Sequence, residues 1–156
     1  MKKLLVIGRT FPEPKTTAAG GHMMDILRFF QNMEYQIIFT STASLSEHSA
    51  QLEALDIPLQ NIVLNDSSFD DLLLEFQADV VLFDRFITEE QFGWRVNEVL
   101  PDSIKILDTE DLHFLRRARE RALKANESFS SDHLYNDDTK RELARTLRCD
   151  FTVIVS

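Results

Sequence analysis

Short apolar runs alternate with stretches of helical spacing along the whole chain. Lys3 to Gly8 (KLLVIG) is continuously apolar after its lysine, as in a parallel strand covered on both faces. A loop, RTFPEPKTTAAGGH, follows, and the spacing then predicts a helix with Ala19, Met23, Ile26, Leu27 and Phe30 on one face and Thr16 or Thr17 as its cap. Tyr35 to Thr40 reads as strand two, Ser46 to Leu55 as a helix, and Asn61 to Leu64 as a short strand three. Ser68 to Phe76 reads as a helix capped by Ser67 or Ser68, with Asp70 and Asp71 in the first turn, where the helix dipole favours acids. Ala78 to Phe83 is strand four, ending in Asp84, and Thr88 to Leu100 is a helix stopped by Pro101. Ile104 to Leu107 is strand five, ending in Asp108, and Leu112 to Ala125 is a basic helix. A polar stretch from Asn126 to Asp137 reads as a loop, Asp138 to Leu147 as a last helix, and Phe151 to Val155 as strand six.

Six apolar strands separated by helices predict an α/β fold, a doubly wound and mostly parallel sheet. The chain of 156 residues, 44% of them hydrophobic, suits one domain with a real core. No helix follows strand six to cover it, so the expectation is a domain from a longer protein. With 17 Lys and Arg against 26 Asp and Glu, the formal charge of -9 argues against a non-specific nucleic-acid binder, and no nucleic acid is expected as a partner. The single cysteine, Cys149, excludes an internal disulfide and a multi-cysteine zinc site, and reads as a small buried residue. A reducing, cytoplasmic compartment fits, and the apolar run Leu4 to Ile7 is too short for a signal peptide or membrane helix.

In open α/β sheets ligands bind beyond the carboxyl ends of the strands. After strand one come Arg9 and then Gly20-Gly21-His22 at the start of a helix, where two glycines and free N–H groups let a backbone approach a phosphate. The same pair also serves a tight turn and close helix packing. The spacing is neither G-x-G-x-x-G nor that of a phosphate-binding P-loop. After strand four come Asp84 and Arg85. After strand five comes Asp108-Thr109-Glu110-Asp111-Leu112-His113, a dense group suited to a sugar hydroxyl, a metal or a proton in transit, with helix capping accounting for one of the acids. Arg116, Arg117, Arg119, Arg121 and Lys124 make the next helix basic, which reads either as a solvated face or as a contact for phosphate groups or an anionic membrane.

The order of KKLLVIGRTFPEPKTTAAGGHMMDILRFF, ADVVLFDRF, IKILDTEDLHFLRRARERALK and KRELARTLRCDFTVIVS resembles the N-terminal half of a GT-B glycosyltransferase, most of all the retaining group called family four. Asp108, Asp111 and Arg116 resemble that group's D-x-x-D-x-x-x-x-R pattern. The resemblance implies a Rossmann-like, acceptor-side domain spanning 1–156, with the nucleotide-sugar domain outside this chain. It implies transfer of a sugar from a nucleotide-sugar to a hydroxyl acceptor, as in polysaccharide biosynthesis, with the nucleotide-sugar as co-substrate and neither a metal nor another cofactor. Gly20, Gly21 and His22 would then face the donor, Arg9, Asp84, Arg85 and Asp108 the acceptor, and Asp111 and His113 the reacting sugar. This chain alone is expected to be inactive. A histidine that many relatives carry after strand four is replaced here by Asp84-Arg85-Phe86.

Two other classes fit parts of the pattern. A non-catalytic α/β binding or regulatory module needs only the fold. ADVVLFDRF is also similar to the strand bearing a receiver domain's phosphorylated aspartate, but the acidic pair such domains need after strand one is Gly8-Arg9 here.

Overall fold

A computed structural model describes residues 1–154. Six strands form one all-parallel sheet: β1 (Lys3–Gly8), β2 (Gln36–Ser41), β3 (Leu59–Asn61), β4 (Val80–Asp84), β5 (Ile104–Asp108) and β6 (Phe151–Val153). Their order is β3-β2-β1-β4-β5-β6, so the winding reverses between β1 and β4. Five helices pack on the sheet: α1 (Ala18–Asn32), α2 (Ser68–Phe76), α3 (Arg85–Val99), α4 (His113–Lys124) and α5 (Asp137–Thr146). The expected doubly wound sheet is the observed one.

Strand alternation divides the core. Leu5, Ile7, Val81 and Phe83 face Phe69, Leu73, Phe92 and Val96 of α2 and α3. Leu4, Val6, Val80 and Leu82 face Met23, Met24 and Leu27 of α1 on the other side. Successive side chains of a strand point to opposite faces, so an unbroken apolar run is what a sheet covered twice requires.

Several predicted boundaries move, each for a local reason. Ser46 to Leu55 is not an α-helix. The hydroxyl of Ser49 accepts from the Ser46 N–H and that of Ser46 from the His48 N–H, which satisfies the backbone in a loop. The Ala50 N–H donates to the Pro12 carbonyl at 2.7 Å, and only Leu52–Leu55 forms a 3₁₀ turn, anchored by fully buried Leu52. Strand three pairs at Leu59–Asn61 rather than Asn61–Leu64, because its partner β2 ends at Ser41, opposite Asn61. Val63 and Leu64 are left exposed beyond the sheet.

Helix α2 takes its cap from Asp66, whose carboxylate accepts from the Ser68 N–H at 2.9 Å, and neither Ser67 nor Ser68 caps it with a side chain. Helix α3 starts three residues earlier than predicted. Thr88 bonds back to the carbonyls of Asp84 and Arg85 from inside the helix instead of capping it. The polar stretch contains a 3₁₀ turn, Ser131–Leu134, in which Ser130 and His133 cap each other. Of predicted strand six, Phe151–Val153 is paired with β5, and Val155 lies outside the described residues.

Candidate functional site

The carboxyl ends of β1 and β4 part where the winding reverses, and the crevice there is the place where this architecture binds ligands. A cavity of about 300 Å³ opens at that point, walled by Phe11, Glu13, Gly20, Asp84, Arg85 and Glu110 among others. The wall is rich in acids. Asp84 is almost fully buried, and one carboxylate oxygen accepts from the Arg9 N–H at 3.0 Å. Its other oxygen lies 3.7 Å from Arg85 Nε. Burial pushes the Asp84 pKa up, against the pull of Arg85 and the Arg9 N–H. Asp108 is in register with Asp84 across the β4–β5 ladder and is completely buried.

Glu110 is the residue that sequence reasoning passed over. It was one acid in a run of four ionisable groups, and nothing in the run says which of them turns inward. The backbone makes that choice, because Glu110 adopts φ 59°, in the left-handed region. Burial and the neighbouring Asp108 and Asp84 push its pKa up. Arg85 also has a left-handed φ, of 70°, so two non-glycine residues in this sparsely populated conformation line one cavity. Such strain persists only where surrounding contacts enforce it and gathers at functional sites. Glu13, also passed over, orders the first loop. Its carbonyl accepts from the N–H groups of Thr16 and Thr17, and its carboxylate bonds Thr16 and Ser46.

The two glycines play unlike parts. A Cβ on Gly20 would run into the backbone of Glu13, so glycine is needed there for close packing of the loop on α1. Nothing lies within 4 Å of the Cβ position of Gly21. The Gly20 N–H is used by the Thr17 cap at 2.9 Å. His22 reaches across to Asp108, with Nε2 3.1 Å from Oδ2. Arg9 is exposed and contributes its backbone N–H to the site.

The structure splits the run after β5. Glu110 lines the cavity, while the fully buried Asp108 meets His22. Asp111 pairs with Arg116 at 2.8 Å and lines a separate groove along α4 with Leu115, Leu123 and Ile154. His113 sits half-buried at the start of α4, edge-on to Phe86 and 3.7 Å from the carboxylate of Glu142. Neither Asp111 nor His113 lines the switch-point cavity.

The basic helix is corrected more strongly. Arg116 pairs with Asp111 and Glu120, while Arg117 and Arg121 share Asp138 at 3.7 and 3.2 Å. Arg119 lies over the Phe129 ring. Three of the five cations thus face carboxylates of the same molecule, and only Arg119 and Lys124 remain for an anionic surface. No helix among the described residues is long and apolar enough to cross a membrane.

No protein-family model matches the chain, and no curated protein matches its sequence. Solved structures share its fold. An alpha-glucosyltransferase in complex with UDP and a 13-mer DNA containing a HMU base aligns at TM-score 0.53 and 8% identity, over 96% of this chain and 36% of that one. An alpha-glucosyltransferase with UDP and a 13-mer DNA containing a central A:G mismatch aligns at 0.55 and 9%, over 97% and 36%. Apo UGT2 of Phytolacca americana aligns at 0.50 and 10%, over 100% and 46%. The chain therefore shares the Rossmann-like α/β fold that forms part of each of these glycosyltransferases. The chain spans 36% to 46% of the length of these solved relatives in fold.

Proposed function

We propose that this chain is a glycosyltransferase domain that holds a hydroxyl acceptor in the β1/β4 cavity and presents it to a sugar activated as its nucleoside diphosphate. The observation that carries the reading is an acid-walled cavity at the switch point, within a fold shared with glycosyltransferases. Two of those relatives were solved with UDP, which supports a uridine nucleotide-sugar as co-substrate. Asp84 and Glu110 accept hydrogen bonds from the acceptor hydroxyls, and Arg85 fixes the orientation of Asp84. The transfer breaks the bond from the sugar's anomeric carbon to the diphosphate and forms one to the acceptor oxygen, whose proton passes to a base. Catalysis of this kind is positioning and electrostatics in a closed cleft. A second domain, outside this chain, holds the nucleotide.

Asp111 and His113 are the sequence's choice for the reacting sugar, and the retaining family-four reading rests on the order of the four segments and on the pattern of Asp108, Asp111 and Arg116. A non-nucleic-acid acceptor is supported by the charge of -9, while the DNA in two relatives belongs to those proteins. Calorimetric titration with methyl glycosides and with UDP-glucose tests the reading. A glycoside is expected to bind, and Asp84→Ala with Arg85→Ala to weaken it at least tenfold. Equal binding by the double variant removes the cavity from the site.

A further inference from the structure

His22 on α1, Asp108 at the end of β5 and Glu110 in the following loop each offer one ligand atom, and the three atoms lie within 4.8 Å of one another. Two facts separate this group from an ordinary histidine–aspartate pair. Asp108 is fully buried; its Oδ1 lies 3.3 Å from His22 Nε2 and accepts from the Glu110 N–H at 3.3 Å, while its Oδ2, 3.1 Å from the same imidazole nitrogen, makes no hydrogen bond. A buried carboxylate oxygen left without a partner is costly, and each such atom needs a physical reason. The second fact is charge. Glu110 brings another carboxylate to the same point, with Asp84 in register beside Asp108, and Arg85 is engaged with Asp84. A single imidazole does not balance that convergence, whereas a divalent cation does.

We propose that His22, Asp108 and Glu110 bind a divalent transition-metal ion, of the zinc or manganese class, beside the switch-point cavity that Glu110 lines. One imidazole nitrogen with two carboxylate oxygens is a mixed set that suits these ions better than magnesium or calcium, which favour oxygen alone. Bonds of about 2.0–2.2 Å place neighbouring ligand atoms roughly 3–3.6 Å apart, so small side-chain rotations close the group around an ion. Three protein ligands leave coordination positions open. Glu110 also lines the cavity, so those positions give onto it. The inference stands on the donor set and does not depend on the glycosyl-transfer reading.

The test is titration of the untagged, chelator-stripped full chain with zinc chloride and, separately, manganese chloride. One equivalent of one of these ions is expected to bind saturably and raise Tm. His22→Ala and Glu110→Gln should each weaken binding at least tenfold, while His48→Ala, at an exposed histidine beside Glu47, should leave it unchanged. Should either site variant fail to fold, cobalt substitution of the native chain decides, through absorption bands of a nitrogen-and-oxygen site. Absence of saturable binding, affinity that survives both site substitutions, or loss of binding in His48→Ala overturns the proposal.

Discussion

Burial governs how Asp84 behaves. Its carboxyl is held above the ordinary aspartate range, so the folded chain binds that proton more tightly than the unfolded one. The group's contribution to stability therefore falls as pH rises from the ordinary range through the raised value, and is unfavourable above it. Asp84→Asn keeps an acceptor for the Arg9 N–H and removes the buried charge. It is expected to raise Tm at neutral pH, with the gain shrinking as pH falls into the aspartate range. Thermal melts across pH check this, and a loss of Tm at neutral pH contradicts it. The glycines give a second residue-scale contrast. Gly20→Ala should cost about 1–3 kcal/mol through overpacking against Glu13. Gly21→Ala, facing open space in a helix, should gain about 0.5–1 kcal/mol. Denaturant unfolding of both variants measures the difference, and equal effects would refute the assignment. Sequence showed that a glycine pair mattered here. Which of the two was sterically required depended on Glu13, seven residues away and folded back onto the helix.

At the scale of elements, α4 owes its start to a residue 29 positions away. The buried Glu142 carboxylate of α5 accepts from the N–H groups of His113 and Phe114 at 3.0 and 2.8 Å, satisfying two donors that a helix start leaves free. Glu142→Ala should destabilise by about 1–3 kcal/mol, since the Phe114 N–H loses its acceptor and the His113 N–H keeps only the Asp111 carbonyl at 3.1 Å. Native-state hydrogen exchange should show the first turn of α4 opening, and unchanged protection there would contradict the account. Local sequence suggested one of the acids after strand five as the cap, because capping patterns are read from neighbours and a tertiary cap leaves no such trace. Ser46 to Leu55 fails in the opposite direction. Its composition allows a helix, but serine hydroxyls and the contact with Pro12 settle it as a loop. The longer helices and the buried strands were legible because their periodicity is enforced by the core itself.

Across the whole molecule, alternating strands and helices were enough to give the class of fold and the edge of the sheet where ligands belong. The strand order was not legible, since six alternating units fit several windings. That order brings Asp84 beside Asp108 and beside the first loop, where the Arg9 N–H meets it. Hence Asp84, Arg85 and Asp108 could be picked as strand-end residues, while Glu110 and Glu13 emerge only once the loops are folded over the switch point. The buried Glu89, 3.2 Å from Arg148 and 3.6 Å from Arg145, belongs to a different job, clamping α5 to α3. Cys149 is likewise structural, since burial pushes its thiol up to about 12 and keeps it protonated at neutral pH.

The central claim is that the β1/β4 cavity is where this chain meets its ligand. The most direct measurement is amide chemical-shift mapping of the chain during titration with a methyl glycoside. The account predicts saturable shifts concentrated at residues 9–17, 84–86 and 108–110. Saturable shifts confined to the groove along α4, or no shifts at any glycoside concentration, would contradict it.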